Sequence, residues 1–223
     1  MKEIFYSLFN CLVCQLPFAG SRGLLCEYCQ KDLAINTNYT CKKCLSLSNS
    51  EFCESCLNYP PYYDSIIAAG FYSQPVVTWL YKLKYQKQTS YSKLLSSLLY
   101  SAVMKDMKQI PDYIIPVPIH IHRLCQRGFN QVEELLTSFK KQYKSKIISA
   151  VRHRHDYSQV LSSRTMRVKQ IANNFAINKN IQNKSIAIVD DVVTTRATVN
   201  ELASLCKNLG ANHVQVWCLL RSC

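Results

Sequence analysis

Eight of the twelve cysteines fall within the first 56 residues as four Cys-x-x-Cys pairs: Cys11/Cys14, Cys26/Cys29, Cys41/Cys44 and Cys53/Cys56. Two intervening residues let a tight turn aim both thiolates at one ion, and tetrahedral zinc takes four such ligands. The eight ligands therefore make two sites. Adjacent grouping joins Cys11, Cys14, Cys26 and Cys29 in one site and Cys41, Cys44, Cys53 and Cys56 in the other. Cross-braced grouping of first with third and second with fourth also satisfies the spacing, and adjacent grouping is the preferred reading. With every position around each ion taken, such sites are structural, with no open place for water or substrate. So short a segment buries little apolar surface, so bound Zn2+ would supply its folding energy. A disulfide framework or a redox pair competes, but four repeated pairs exceed what redox chemistry needs.

The second chemical stretch is IAIVDDVVTTRAT. An apolar strand delivers Asp190 and Asp191, and a short loop of Thr194, Thr195, Arg196, Ala197 and Thr198 then opens a helix. Backbone N–H groups and hydroxyls at a helix start cradle a phosphate, and the two carboxylates can accept from ribose hydroxyls. The same pair fits Mg2+ binding or simple helix capping, and these readings stay open.

The elements that must position these groups follow from pattern. Residues 1–60 read as a cysteine-rich zinc-binding module and residues 61–223 as an α/β domain, with the boundary at Pro60-Pro61. DSIIAAGF (64–71) is a strand, residues 75–107 one or two core-facing helices, DYIIPVPI (112–119) a buried strand, and RGFNQVEELLTSFKKQY one helix after a basic loop. KIISAV (146–151), KSIAIVDD (184–191) and HVQVWCLL (213–220) are further strands, and residues 197–210 a helix stopped by Gly210. Strands alternating with helices imply a largely parallel sheet with its ligand beyond the strands' carboxyl ends.

Charge is divided unevenly. Residues 1–60 carry five Lys/Arg against five Asp/Glu, and residues 61–223 carry 22 against nine, for a net charge of +13. Such a surface suits phosphate-rich partners. No convincing secretory signal and no bilayer-length apolar run are read, so a cytoplasmic protein with reduced thiols is expected. Cys206 reads as core. His120, His122, His153 and His155 are set aside as metal ligands because loop histidines in a basic segment are more often solvated.

The stretch VDDVVTTRAT resembles the motif that binds phosphoribosyl diphosphate (PRPP) in type I phosphoribosyltransferases, in which two acidic residues and a short apolar link precede Thr-Thr-Gly-x-Thr. Together with the cysteine pairs, LKY (83–85), IIPVPI, RGFNQ (127–131), Gln159, Leu161, Arg167 and Phe175, it resembles the ComF family over nearly the whole chain. The resemblance implies a type I phosphoribosyltransferase-like α/β domain behind a zinc module, and a competence role handling internalised single-stranded DNA in the cytoplasm during natural transformation. It places Asp190 and Asp191 on the ribose and residues 194–198 on the 5′-phosphate. Arg123 and Arg127 become candidates for the diphosphate, and Lys84, Arg164 and Arg167 for the leaving group, with Mg2+ accompanying PRPP. Residues 152–167 occupy the place of the loop that covers the site in phosphoribosyltransferases; a solvated loop is the competing reading. Two departures stand out: Arg196 replaces the motif's Gly, and Gln170 stands where the family usually has Asn.

Three functions follow from these residues. The first is single-stranded DNA binding, with Tyr72, Trp79, Tyr81 and Tyr85 as stacking candidates, although Trp79 is expected in the core. The second is an active Mg2+-dependent transferase acting on a nucleobase or amine, and the third a PRPP sensor. Loss of the loop Gly favours the first and third. Other DNA-uptake or DNA-processing proteins are the partners implied.

Overall fold

The computed structural model describes residues 8–19, 24–35, 37–152 and 174–222. Four parallel strands form the central sheet in the order β3-β8-β7-β4, where β3 is Ser65–Phe71, β4 Tyr113–Pro116, β7 Ser185–Val193 and β8 His213–Arg221. The two inner strands are apolar runs because both of their faces are covered. Alternation along each strand sorts side chains between two cores. Ile67, Ala187, Val189, Trp217 and Leu219 face helices α3 (Val76–Gln86) and α4 (Ser90–Asp106), whereas Ile66, Ile186, Ile188, Val214 and Val216 face α8 (Ala197–Asn208). Trp79 is buried in the first core, as expected. No helix among the described residues is long and apolar enough to cross a membrane.

The cysteine-rich segment contains β1 (Leu8–Asn10), β2 (Pro17–Ala19), α1 (Glu27–Leu33) and α2 (Glu54–Asn58). It runs against edge strand β3 so closely that a Cβ on Gly70 would lie 2.7 Å from the Leu33 carbonyl oxygen.

Three expectations are corrected. The basic loop before RGFNQ is a helix, α5 (Ile121–Arg127), because His120 Nδ1 accepts from the His122 amide at one end and Gly128 supplies a left-handed cap at the other. The single helix expected over residues 127–143 is divided into α6 (Gln131–Leu135), begun by an Asn130 cap, and α7 (Thr137–Tyr143). The segment KIISAV does not add a full strand to the sheet. Ile147 makes one bridge to Ile114, and β5 (Ala150–Arg152) instead pairs antiparallel with β6 (Phe175–Ile177) in a separate ribbon.

Candidate functional site

The cysteines assemble by adjacent grouping. Cys11, Cys14, Cys26 and Cys29 form one cluster and Cys41, Cys44, Cys53 and Cys56 the other, each with its sulfurs within 4.8 Å of one another. The two are built on one plan. Gln15 and Leu45 take left-handed φ values of 59° and 58°, and their amides return to Cys11 and Cys41 at 2.8 and 2.9 Å. The second pair of each cluster starts a helix, with Cys26 and Cys53 as the residues that cap α1 and α2. The Cys14–Cys26 and Cys44–Cys53 sulfur separations are 3.8 and 3.6 Å. Tetrahedral zinc with Zn–S of about 2.3 Å requires about 3.8 Å between sulfurs, so both donor sets fit the ion.

Without a cation, four adjacent thiols cannot all ionise. In the second cluster, desolvation and the neighbouring Cys44 push the Cys56 thiol well above its usual range, with Arg196 pulling against them. A divalent ion held by these four residues would resolve that repulsion by stabilising them as thiolates.

At the carboxyl end of β7 the two aspartates part ways. Asp191 is buried and its Oδ2 accepts from Lys84 Nζ at 2.8 Å and from Gln131 Nε2 at 2.7 Å. Gln131 Oε1 accepts in turn from Arg127 Nη1 at 2.7 Å, and the Arg127 guanidinium lies 5.0 Å from the Tyr85 ring centre. Thus LKY and RGFNQ, distant in sequence, meet on one carboxylate through Lys84 and Gln131.

Asp190 keeps an edge toward solvent, and its Oδ1 accepts from the Asp191 amide at 2.8 Å. Desolvation by the surrounding protein, with the Asp191 charge beside it, raises its carboxyl to about 8, and Lys84 and Arg152 pull the other way. A cation or hydroxyl-bearing ligand arriving here would meet one carboxylate already neutralised by Lys84 and a second that binding must ionise.

Beyond the aspartates, Thr194, Thr195 and Ala197 are exposed, and Thr195 Oγ1 accepts weakly from the Ala197 amide at 3.5 Å. Arg196 adopts φ 68° and ψ −1°, the left-handed conformation that the motif's Gly takes freely. Its guanidinium turns away from the loop: Nη1 donates to Cys56 Sγ at 2.8 Å and Nη2 to Ser55 Oγ at 2.6 Å. A cleft of about 440 Å³ opens near the end of β4, lined by Pro118, Gly128, Phe129 and Asn130, next to Gln131. A larger cavity of about 620 Å³ lies at the opposite, amino end of the strands beside Asp64 and His213, away from these groups.

The structure therefore brings Lys84, Arg127, Asp190 and Asp191 together, and leaves Arg123 exposed one helical turn before Arg127. Arg164, Arg167, Gln159 and Gln170 lie outside the described residues, as do His153 and His155. Sequence reading missed Arg221, whose buried guanidinium donates to the Val193 and Thr194 carbonyls at 2.8 and 2.7 Å. The available signal was a cation directly continuing the apolar run WCLL.

No protein-family model matches the sequence. The chain is 32% identical over 224 residues to competence protein F of Haemophilus influenzae, covering 96% of this chain and 97% of that one. It is 33% identical over 223 residues to the DNA utilization protein YhgH of Escherichia coli O157:H7, covering 95% and 96%. To competence protein ComFC of Streptococcus pneumoniae it is 27% identical over 129 residues, 57% of each chain. Similar solved structures include an allosteric regulatory enzyme of purine biosynthesis (TM-score 0.41, 15% identity, 58% of this chain and 25% of that one). A purine phosphoribosyltransferase from Pyrococcus horikoshii gives a TM-score of 0.36 at 19% identity, over 58% and 71%.

Proposed function

The chain belongs to the ComF family of competence and DNA utilization proteins, and from that premise we propose that it handles single-stranded DNA in the cytoplasm while its β7–α8 loop holds PRPP or a similar phosphorylated ribose. Competence and DNA use are what the relatives' names state. Residues 1–60 serve as the metal-binding part and residues 61–223 as the ligand-binding part.

One observation carries the reading. Arg196 preserves the left-handed turn of a phosphate loop while its side chain leaves the cradle, so the backbone at the start of α8 and the exposed Thr194 and Thr195 hydroxyls are left open to an anion, with the weak Ala197 amide bond to Thr195 Oγ1 the one to be exchanged. Asp190 then faces the ribose hydroxyls, and Asp191 holds the strand end through Lys84 and Gln131. Mg2+, when bound with PRPP, would neutralise diphosphate charge beside Asp190. For DNA, Tyr81 and Tyr85 offer exposed rings 5.0 Å apart, with Tyr72 also exposed and an excess of basic residues across residues 61–223. Bases stack on such rings while Lys and Arg meet phosphates.

Phosphoribosyl transfer is the second reading. It is favoured by the same turn of Arg196, which removes the steric objection raised by the loss of Gly.

Binding of a fluorescent single-stranded oligonucleotide, measured across a salt series with and without PRPP and Mg2+, tests the proposal. The expected result is preference over duplex and a log–log salt slope of about −0.7 per phosphate contact. Tyr81→Ala with Tyr85→Ala should weaken binding by roughly 1–3 kcal/mol per stacked base. Equal affinity for duplex and single strand would overturn the DNA role, and release of diphosphate with candidate bases would move the weight to the transferase.

A further inference from the structure

Two arginines join the second cysteine cluster to the loop that follows β7. Arg196 reaches from the loop to Cys56 Sγ and Ser55 Oγ at the start of α2, at 2.8 and 2.6 Å. Arg221, 3% exposed at the end of β8, spans the same gap from the other side. Its Nε donates to the Cys44 carbonyl at 2.8 Å and its Nη2 to Ser46 Oγ at 2.7 Å, while Nη1 donates to the carbonyls of Val193 and Thr194. Each end of the loop is thus tied to one of the two turns that present the cluster's cysteines. Between them the Tyr63 side chain is fully buried, and its hydroxyl has no hydrogen-bond partner among the described residues.

Four thiolates around a divalent ion leave a net charge of −2 spread over the sulfurs, which N–H donors and nearby cations stabilise. A guanidinium donating to Cys56 Sγ supplies both. The first cluster has no such tie: among the described residues no side-chain hydrogen bond joins it to residues 61–222, and it seats through Cys11, Leu25 and Leu33 in apolar packing.

A non-Gly residue in the left-handed region is strained, because its Cβ crowds the following carbonyl. The contact that holds Arg196 there is the one to the cluster. If the cluster loses its ion and its turns loosen, both anchors of the loop go with it.

We propose that metal in the second cluster fixes the conformation of the phosphate loop through Arg196 and Arg221, so that affinity for a phosphorylated ligand depends on occupancy of that cluster and not of the first. The proposal rests on reading residues 194–198 as a phosphate loop, and Arg196 and Arg221 act in it as positioning residues.

The test uses full-length protein purified with its metal. Zinc release to a chromogenic chelator is followed alongside amide hydrogen exchange at residues 193–199 and PRPP binding by calorimetry. Arg196→Gly, which suits the backbone conformation, should speed release of one metal equivalent on the order of 10-fold and leave the other at the wild-type rate. Cys14→Ser retains only the second metal and identifies which equivalent responds. Loss of the second metal should raise exchange at residues 193–199 and lower PRPP affinity at least tenfold, whereas loss of the first should do neither. Arg196→Lys should restore less than half of the retention, because an ammonium lacks the fork that reaches both Cys56 and Ser55.

Unchanged release in Arg196→Gly, or wild-type loop exchange after the second metal is gone, overturns the proposal. Protein that binds neither PRPP nor inorganic phosphate refutes the phosphate-loop reading instead, and accelerated exchange on metal loss would still support the anchoring of the loop.

Discussion

The two cysteine units begin from the same local instructions and end in different employment. Both have a knuckle turn with a left-handed residue after the second cysteine, and both place their second pair at the start of a short helix. The first unit is seated by grease: Cys11 and Leu25 are 1% and 2% exposed within the core formed with α3 and α4. The second is wired by charge, through Arg196 and Arg221, into the loop that follows Asp190 and Asp191. Apolar contacts stabilise without direction, whereas a guanidinium fork fixes the relative position of the groups it joins. Among the described residues, the side-chain ties to that loop are made by the second unit.

The largest effect should come from cutting the wiring. Arg221→Met would leave the carbonyls of Cys44, Val193 and Thr194 without this donor in a buried place, at a cost of about 3–5 kcal/mol measured by denaturant melts. Loss of stability without faster exchange in residues 193–199 would break the comparison.

Leu25→Ala probes the greased seat and should cost about 2–5 kcal/mol through the cavity it opens. PRPP affinity should follow Arg221→Met and ignore Leu25→Ala, and a ligand effect of equal size in both variants would erase the distinction.

Gly70→Ala places a methyl 2.7 Å from the Leu33 carbonyl, where backbone must yield, and should cost about 1–3 kcal/mol. Because Leu33 ends the helix that carries Cys29, zinc release should quicken at the first cluster alone.

A pH-dependent effect concerns Asp190. An ordinary aspartate loses its proton near 3.8, and in the folded chain this one holds it up to about 8. Between those values the folded state binds more protons than the unfolded state, so stability should fall as pH rises through the window and level off above it. Asp190→Asn should flatten that slope in melts taken from pH 4 to pH 8, and Lys84, which opposes the shift, should steepen it when changed to Met.

Much of this was legible in sequence because it is written in short periods. The apolar runs in SIAIVDD and HVQVWCLL predicted strands, and the Cys-x-x-Cys spacing predicted two four-thiol sites. The helix α5 was missed because its cap is an unusual one, His120, and its residues look like a charged loop. Arg196 was read as a cation beside a phosphate, since the motif shows which backbone position it fills and not where its side chain ends.

The amino-acid sequence alone determined the four strands of the sheet, the eight thiol ligands and the acidic pair that precedes the loop, since each depends on residues within a few positions of one another. Tertiary structure decided which partners those groups take. It spent Asp191 on Lys84 and Gln131, and it sent Arg196 to a cysteine 140 residues away. Such contacts depend on where the sheet order and the wrapped cysteine segment bring distant side chains, and no local pattern carries that information.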